Sequence, residues 1–444
     1  MAVTLAEAKA QARAQRAAGD AGAALATLDH TLAAQPLDDE LRLEIAATLA
    51  ALGQTEAAGE SYRALSMHLV RAGRPLPALV AAYALGDLGL PFDFLLVALA
   101  EMYAAGSASL AWFAARPAPI DAGLEIPAPR EGDEPLDRVI ERATRRATDF
   151  TAHPPYQDHV HPIPFLSELA ADSLQAVLLQ LRVRRIEPGA PVVQQGELGR
   201  SLFLVALGQL RVATTITGGS ARELARLHEG SLFGEMALVT SQPRGASVVA
   251  TEPATVLELE RGALELVRTQ IPSIGAELTR FTRERLIRNL LATSPLFTPF
   301  TKDQQADLLR RFEGVEVELG TTVIREGEAG QGLYVILTGE LEVVAHPAGA
   351  LAPIHLAQLG PGEICGEMSL VSDRPTSATV RAIAASTLLF LPRIYVDRLA
   401  EAVPEVRRYF AGIAERRASD NSQRLGAALP EEIVDLDDSD QLLI

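Results

Sequence analysis

The feature that most constrains this chain is a repeat of itself. Gly189, Gly196, Glu197, Gly199, Leu202 and Gly208 recur, at one constant offset, as Gly320, Gly327, Glu328, Gly330, Leu333 and Gly339. Gly230, Gly234, Glu235, Pro243, Ala246 and Val248 recur as Gly362, Gly366, Glu367, Pro375, Ala378 and Val380, at that offset plus one. The extra residue falls in the intervening hairpin, where changes of turn length are tolerated. Two copies of one domain therefore stand in tandem, at 163–293 (domain A) and 294–417 (domain B). Alternating runs at 201–205 and 333–337 end in Gly208 and Gly339. Glycine at this spacing suits the tight turns of a small barrel or jelly roll. Each copy closes in helical sequence, at 274–292 and 393–417.

Residues 1–110 read differently. They are rich in Ala and Leu, with helical periodicity and almost no β-branched runs. Gly19, Ala24 and Leu28 return as Gly53, Ala58 and Tyr62. Their common offset is about 34 residues, the period of tetratricopeptide repeats. Small residues at fixed helical offsets let paired helices approach closely. The next unit, at 69–85 with Gly73 and Ala78, arrives too soon after Gly53 and breaks the period. A short, degenerate TPR-like module is expected, with an Ala-rich bundle lacking a groove as the alternative. Prolines punctuate 111–162, which reads as a linker carrying one amphipathic helix at 136–150. Residues 418–444 read as a disordered tail, rich in acids from 431 to 440. The fold class expected is multidomain α + β: a helical repeat module, then two β-barrel or jelly-roll domains with flanking helices.

A net charge of −17 argues against a protein that coats nucleic acid through broad electrostatics. The single cysteine, Cys365, leaves no intrachain disulfide and no sign of an oxidising compartment. The apolar run at 92–100 is far short of the roughly 20 residues a spanning helix needs. A soluble cytoplasmic protein without membrane insertion is the expectation. His153, His159 and His161 cluster with Asp158, but their spacing fits no established metal template and a Pro-rich loop does not preorganise ligands. No metal and no cofactor are expected on these grounds.

The chemistry concentrates in 233–248. A glycine lets backbone approach a ligand closely, a carboxylate follows, then a short apolar helix-like turn, then Arg244 beyond Pro243. Amides at a helix start plus one guanidinium make an anion site suited to a single phosphate, and the carboxylate can accept hydrogen bonds from sugar hydroxyls. Position for position, this run resembles the phosphate-binding cassette of cyclic nucleotide-binding domains. The Gly-punctuated hairpins and terminal helices of both copies share that resemblance, from 163 to 417. It implies that Glu235 accepts the ribose 2′-OH and Arg244 pairs with an exocyclic phosphate oxygen. Gly234, with the amides around Met236 and Ala237, would contact the cyclic phosphate, and Ala246 and Ser247 would close the far side. A buried monoanion needs such a set to offset desolvation. The alternative is a core ion pair between Glu235 and Arg244. Gly245 cannot supply the guanine contact that a Thr gives in the family, so cAMP is favoured over cGMP. Phe281 and Leu286 are candidates to lid the purine.

The second cassette keeps Gly366, Glu367, Ala378 and Thr379 but places Thr376 where the phosphate Arg belongs. Losing one charge-assisted bond costs about 1.5–3 kcal/mol, so a weak or empty second site is expected. Arg374, two positions earlier across Pro375, is expected to face solvent. Cys365 takes the aromatic position as a small buried side chain. Tandem domains with an upstream Arg145-Arg146-Ala147-Thr148 also resemble the regulatory subunit of cAMP-dependent protein kinase. The same tetrad type returns as Arg416-Arg417-Ala418-Ser419, which favours a helix end over a kinase-directed segment. The expected function is a non-catalytic cyclic nucleotide sensor acting on a protein partner through its N-terminal helices. The alternatives are a scaffold adaptor whose nucleotide domains bind nothing, or a kinase regulatory-subunit-like inhibitor. Transcription control is disfavoured because only acidic sequence follows 417, with no helix-turn-helix.

Overall fold

The computed structural model describes residues 2–114, 120–129, 134–215, 221–234, 244–271, 287, 300–347, 352–372 and 374–428. The chain divides into two compact units, residues 1–281 and 282–444.

Unit 1 begins with helical hairpins: α1 Leu5–Ala17, α2 Ala21–Ala34, α3 Asp39–Ala51, α4 Thr55–Arg71, α5 Pro75–Asp87 and α6 Asp93–Tyr103. Their starts are written in the sequence. Thr4 and Glu7 form a reciprocal capping box, Asp20 accepts from the Ala23 amide, and Asp38 accepts from Glu40 and Leu41. Pro75 opens α5, where its missing N–H costs nothing. The first helices of successive pairs start at Leu5, Asp39 and Pro75, a nearly constant spacing. Gly19, Gly53 and Gly89 turn the chain inside each pair with φ between +73° and +86°, conformations only glycine adopts without strain. Gly73 is instead the turn between pairs. The apparent break in period at Gly73 is thus a different turn, and Gly89 continues the series begun by Gly19 and Gly53.

The Pro-rich stretch is laid along these helices. Strand β1 (Ala2–Thr4) pairs antiparallel with β2 (Glu125–Pro127), and Val160 bridges to Leu110. Helix α7 (Leu136–Thr148) packs on α2 and α4, with Ala143 and Ala147 fully buried. Arg142 and Arg146 both pair with the buried Asp29.

Domain A follows helix α8 (Ala171–Leu178). Its strands are β3 Arg182–Ile186, β4 Pro191–Val193, β5 Ser201–Leu207, β6 Leu210–Thr215, β7 Ala221–Leu227, β8 Leu232–Phe233, β9 Ser247–Ala250 and β10 Ala254–Glu260, followed by helix α9 (Arg261–Gln270). They form two antiparallel four-stranded sheets, ordered β3-β10-β5-β8 and β4-β9-β6-β7. Leu202, Leu204 and Ala206 point from β5 into the same apolar core as the helical hairpins. The opposite face of β5, with Phe203 and Val205, fills the sandwich interior. Strand alternation therefore explains how one strand serves two cores. The helical module and domain A share a continuous interior; they are not beads on a flexible linker.

Unit 2 repeats the sandwich. After helix α10 (Lys302–Leu309) come β11 Glu313–Val317, β12 Thr322–Ile324, β13 Gly332–Thr338, β14 Leu341–Ala345, β15 Ile354–Leu359, β16 Ile364–Cys365, helix α11 (Glu367–Ser372), β17 Thr379–Ala382 and β18 Ser386–Pro392. The sheet orders, β11-β18-β13-β16 and β12-β17-β14-β15, match those of domain A strand for strand. These are two-sheet jelly-roll sandwiches, each preceded and followed by helices. Helices α12 (Arg393–Ala402) and α13 (Pro404–Ala428) close the unit. Helix α13 runs on past Arg417, so residues 418–428 are helix and the expectation of a disordered tail from 418 is corrected there. The second Arg-Arg tetrad is likewise mid-helix, not a helix end.

Candidate functional site

In domain A the guanidinium of Arg244 is the centre of the site. Its backbone is pinned first: the Arg244 amide donates to Glu197 O (2.8 Å), and its carbonyl accepts from the Gly196 amide (2.9 Å). The side chain then donates from Nη1 to Gly234 O (2.9 Å) and from Nη2 to Ser201 O (2.7 Å). Its Cζ lies 5.8 Å from the centroid of Phe203, which stacks on Phe233 at 5.1 Å. Two carbonyls and an aromatic face thus fix a cation at the point where β5 and β8 meet.

Two glycines make room for it. A Cβ on Gly199 would stand 2.4 Å from Arg244 Cζ and Nε, and one on Gly234 would stand 2.8 Å from Nη1. Gly234 also has φ +77°, so it serves both shape and backbone conformation. Ser247 holds the fold together here, its hydroxyl accepting from the Gln195 amide at 2.9 Å. Ala246 is half-buried beside it. Glu235, Met236 and Ala237 lie outside the described residues, as do Phe281 and Leu286.

Domain B holds the same backbone frame with different chemistry. The Thr376 amide donates to Glu328 O and its carbonyl accepts from Gly327, the same ladder that holds Arg244. Its hydroxyl turns back to Arg325 O (2.5 Å) and Glu328 O (3.1 Å). The Gly366 carbonyl, equivalent to the Gly234 carbonyl that holds Arg244, accepts instead from Ser369 Oγ at 2.9 Å. Gly330, the counterpart of Gly199, makes room for that serine: a Cβ there would lie 2.0 Å from its Oγ. Thr379 accepts from the Glu326 amide, as Ser247 does from Gln195.

Sequence reasoning missed Arg417. From α13 its Nη1 donates to Glu367 Oε1 and to Ile364 O, both at 2.8 Å. Glu367, whose side chain is 2% exposed, is therefore held by a cation of its own chain. Only the placement of α13 over the pocket reveals this, and no local motif announces it. The space left beneath α13, among Ile324, Val343, Leu359, Ala378 and Asn421, is about 70 Å³, which suits a few waters. Arg374 is exposed. Cys365 is buried on β16 opposite Tyr334, and burial, with the nearby Glu367 charge, pushes its thiol up to about 12.

Residues 183–269 and 315–402 each match the family model of the cyclic nucleotide-binding domain. The chain carries two cyclic nucleotide-binding domains in tandem. Over 264 residues it is 28% identical to a cAMP-dependent protein kinase regulatory subunit of Mycosarcoma maydis, covering 57% of this chain and 48% of that protein. It is 30% identical over 214 residues to the corresponding subunit of Yarrowia lipolytica, covering 48% of this chain and 52% of that protein. Similarity extends to the cGMP-dependent protein kinase egl-4 of Caenorhabditis briggsae, at 26% over 264 residues, 59% of this chain and 33% of that one. Among solved structures, the regulatory domain of Toxoplasma gondii PKA with cAMP aligns at TM-score 0.28 and 22% identity, over 57% of this chain and 92% of that chain. The chain spans about half the length of the two regulatory subunits it matches. No helix among the described residues is long and apolar enough to cross a membrane.

Proposed function

We propose that this chain is a cytoplasmic, non-catalytic cyclic nucleotide sensor that binds one nucleotide, in domain A. The ligand is cAMP in preference to cGMP, and the signal passes to a protein partner engaged through the helical module. The observation that carries the reading is the contrast between the two cassettes. Domain A places a guanidinium at the cassette, anchored on the Gly234 and Ser201 carbonyls. Domain B has Thr376 facing its own backbone and Glu367 claimed by Arg417. Within the domain A site, Arg244 would take the exocyclic phosphate oxygen, Gly234 with Met236 and Ala237 the cyclic phosphate, and Glu235 the ribose hydroxyl. Ala246 and Ser247 would line the far wall.

Signal transfer has a physical route, because β5 carries Phe203 on its ligand side and Leu202 and Leu204 on the side facing the helices. A ligand shifts a partner-binding equilibrium only by its differential affinity for the two states. The partner is not met by Arg145-Arg146-Ala147-Thr148 as an extended inhibitor segment. That tetrad is the last turn of α7, with Ala147 buried and Arg146 paired to Asp29.

Calorimetry with cAMP and cGMP on the wild type and Arg244→Ala tests the proposal. One site per chain, tighter for cAMP and weakened at least about tenfold by the substitution, is expected. No binding by the wild type at tens of micromolar would sink the sensor reading.

A further inference from the structure

His153 does not gather with His159 and His161. The turn after α7 instead delivers it to two residues far away in sequence. Its Nε2 lies 3.2 Å from Oδ1 of Asp39, the first residue of α3. His68, from α4, points its own Nε2 at the same oxygen from 3.7 Å. The three donor atoms all lie within 4.8 Å of one another. Bonds of about 2.0–2.2 Å at tetrahedral angles separate ligand atoms by about 3.3–3.6 Å, close to the nitrogen–oxygen distances seen here.

Two further observations point to a ligand in this gap. His68 is 3% exposed, and its Nε2 has no hydrogen-bond partner. A buried ring nitrogen without a partner is costly unless something occupies its lone pair. The surrounding groups also orient His68 and Asp39 as ligands. Nδ1 of His68 meets Tyr156 Oη at 3.1 Å, which leaves Nε2 as the lone-pair nitrogen when that bond is donated by the ring. The His68 ring is clamped by stacking on Phe150 at 4.1 Å. Oδ2 of Asp39 is held by Arg74 Nη1 at 3.2 Å, which leaves Oδ1 to face the two imidazoles. Arg74 is itself neutralised by Glu229 at 2.7 Å.

Besides Arg74, a second like charge stands close by. Arg42 Nε is 4.0 Å from Asp39 Oδ1. Its Nη groups are committed to the carbonyls of Pro36, Arg146 and Ala147, and its face to Phe150. It is thus held at that distance, and its charge lowers cation affinity below that of a closed, cysteine-rich site.

We propose that Asp39, His68 and His153 form a binding site for a zinc-class divalent ion, with a water as fourth ligand. Two imidazoles and a carboxylate select borderline ions such as Zn²⁺ over Mg²⁺ or Ca²⁺. On binding, the Nε2 proton of His153 moves to Nδ1, so that both imidazoles present lone pairs and remain neutral. The ion would pin the segment after α7 to α3 and α4. Through Asp39, Arg74 and Glu229 it would also brace the turn that leads into β8 and the domain A cassette.

The test uses the full chain freed of metal by chelator. Zn²⁺ titration should show one saturable equivalent per chain and raise the melting temperature. Co²⁺ should give the visible absorption of a four-coordinate nitrogen–oxygen site. His153→Ala and His68→Asn should each weaken Zn²⁺ binding at least about tenfold and abolish the thermal shift. His153→Ala also removes a hydrogen bond to Asp39 and ring contacts with His68 and Phe150, so the Zn²⁺-induced shift is read against each variant's own metal-free melting temperature. Absence of the Co²⁺ spectrum in the wild type overturns the proposal without reliance on any variant. Undiminished Zn²⁺ affinity in the double variant overturns it equally, by placing the ion elsewhere.

Discussion

Gly199→Ala is the sharpest probe of the domain A site, because it adds one methyl group and removes no charge. The new Cβ would lie 2.4 Å from both Cζ and Nε of Arg244. That is about 1 Å inside ordinary van der Waals contact. The guanidinium must therefore move by a comparable amount, which breaks the alignment of Nη1 and Nη2 with the Gly234 and Ser201 carbonyls. The obstructed atoms are the far end of a flexible arm, so the fold should absorb the change with little loss of stability. Binding should not. A displaced guanidinium forfeits a charge-assisted bond to the phosphate, about 1.5–3 kcal/mol, or roughly 10- to 150-fold in affinity. Calorimetry with cAMP, paired with a thermal melt, reads both quantities. Gly245→Ala is the control, since its added Cβ meets nothing within 4 Å. Its affinity should stay within about twofold of wild type, a few tenths of a kcal/mol. Wild-type affinity in Gly199→Ala, or an equal loss in Gly245→Ala, would refute the claim that Arg244 anchors the ligand from this seat.

Three further outcomes are expected. Thr376→Arg alone should leave cAMP stoichiometry at one per chain, because Ser369 occupies the Gly366 carbonyl and Arg417 occupies Glu367; calorimetry of Thr376→Arg/Ser369→Ala/Arg417→Ala should show a second site. Cys365 should resist alkylation in the native protein near neutral pH and react fully once denatured, since burial raises its thiol to about 12 and the thiolate is the reactive form; mass spectrometry after timed iodoacetamide exposure reads this. Arg74→Met should destabilise unit 1 by about 1–3 kcal/mol, by leaving Asp39 and Glu229 without their shared cation, measured by urea denaturation.

The repeat, both sandwiches and the identity of the cassette were legible because glycines with fixed positive φ mark the same turns in both copies. The helical character of α1 to α4 was legible from their Ala- and Leu-rich periodicity and from the recurrence of Gly19 at Gly53. What the sequence concealed depends on long-range approach. The sharing of β5 between two cores requires knowing that Leu202 and Leu204 face helices and not solvent, and alternation alone does not say what lies opposite. Asp39, His68 and His153 come from three separate elements far apart along the chain, so no spacing template could join them. The cluster of His153 with His159 and His161 was a proximity of sequence only. Arg417 was hidden for a related reason: a helix without a breaker gives no sign of which buried carboxylate it will cross.

Comparison of the two cassettes locates divergence in a small set of polar groups on an unchanged frame. Thr376 and Arg244 share the same backbone ladder to the turn before β13 or β5, and Thr379 and Ser247 share the same clasp. With Thr376 at the position of Arg244, the Gly366 carbonyl lacks the guanidinium that the Gly234 carbonyl has, and the carboxylate of Glu367 is buried. Left without a partner, each such group costs about 1–3 kcal/mol, more for the charge. Ser369 now satisfies the first and Arg417 the second. The polar groups of the domain B cassette are therefore satisfied from within the chain. A site whose carboxylate already has an internal cation has no need of a sugar hydroxyl. In domain A the same frame instead seats a guanidinium on the Gly234 and Ser201 carbonyls. The two cassettes thus differ in what satisfies the equivalent carbonyls of Gly234 and Gly366.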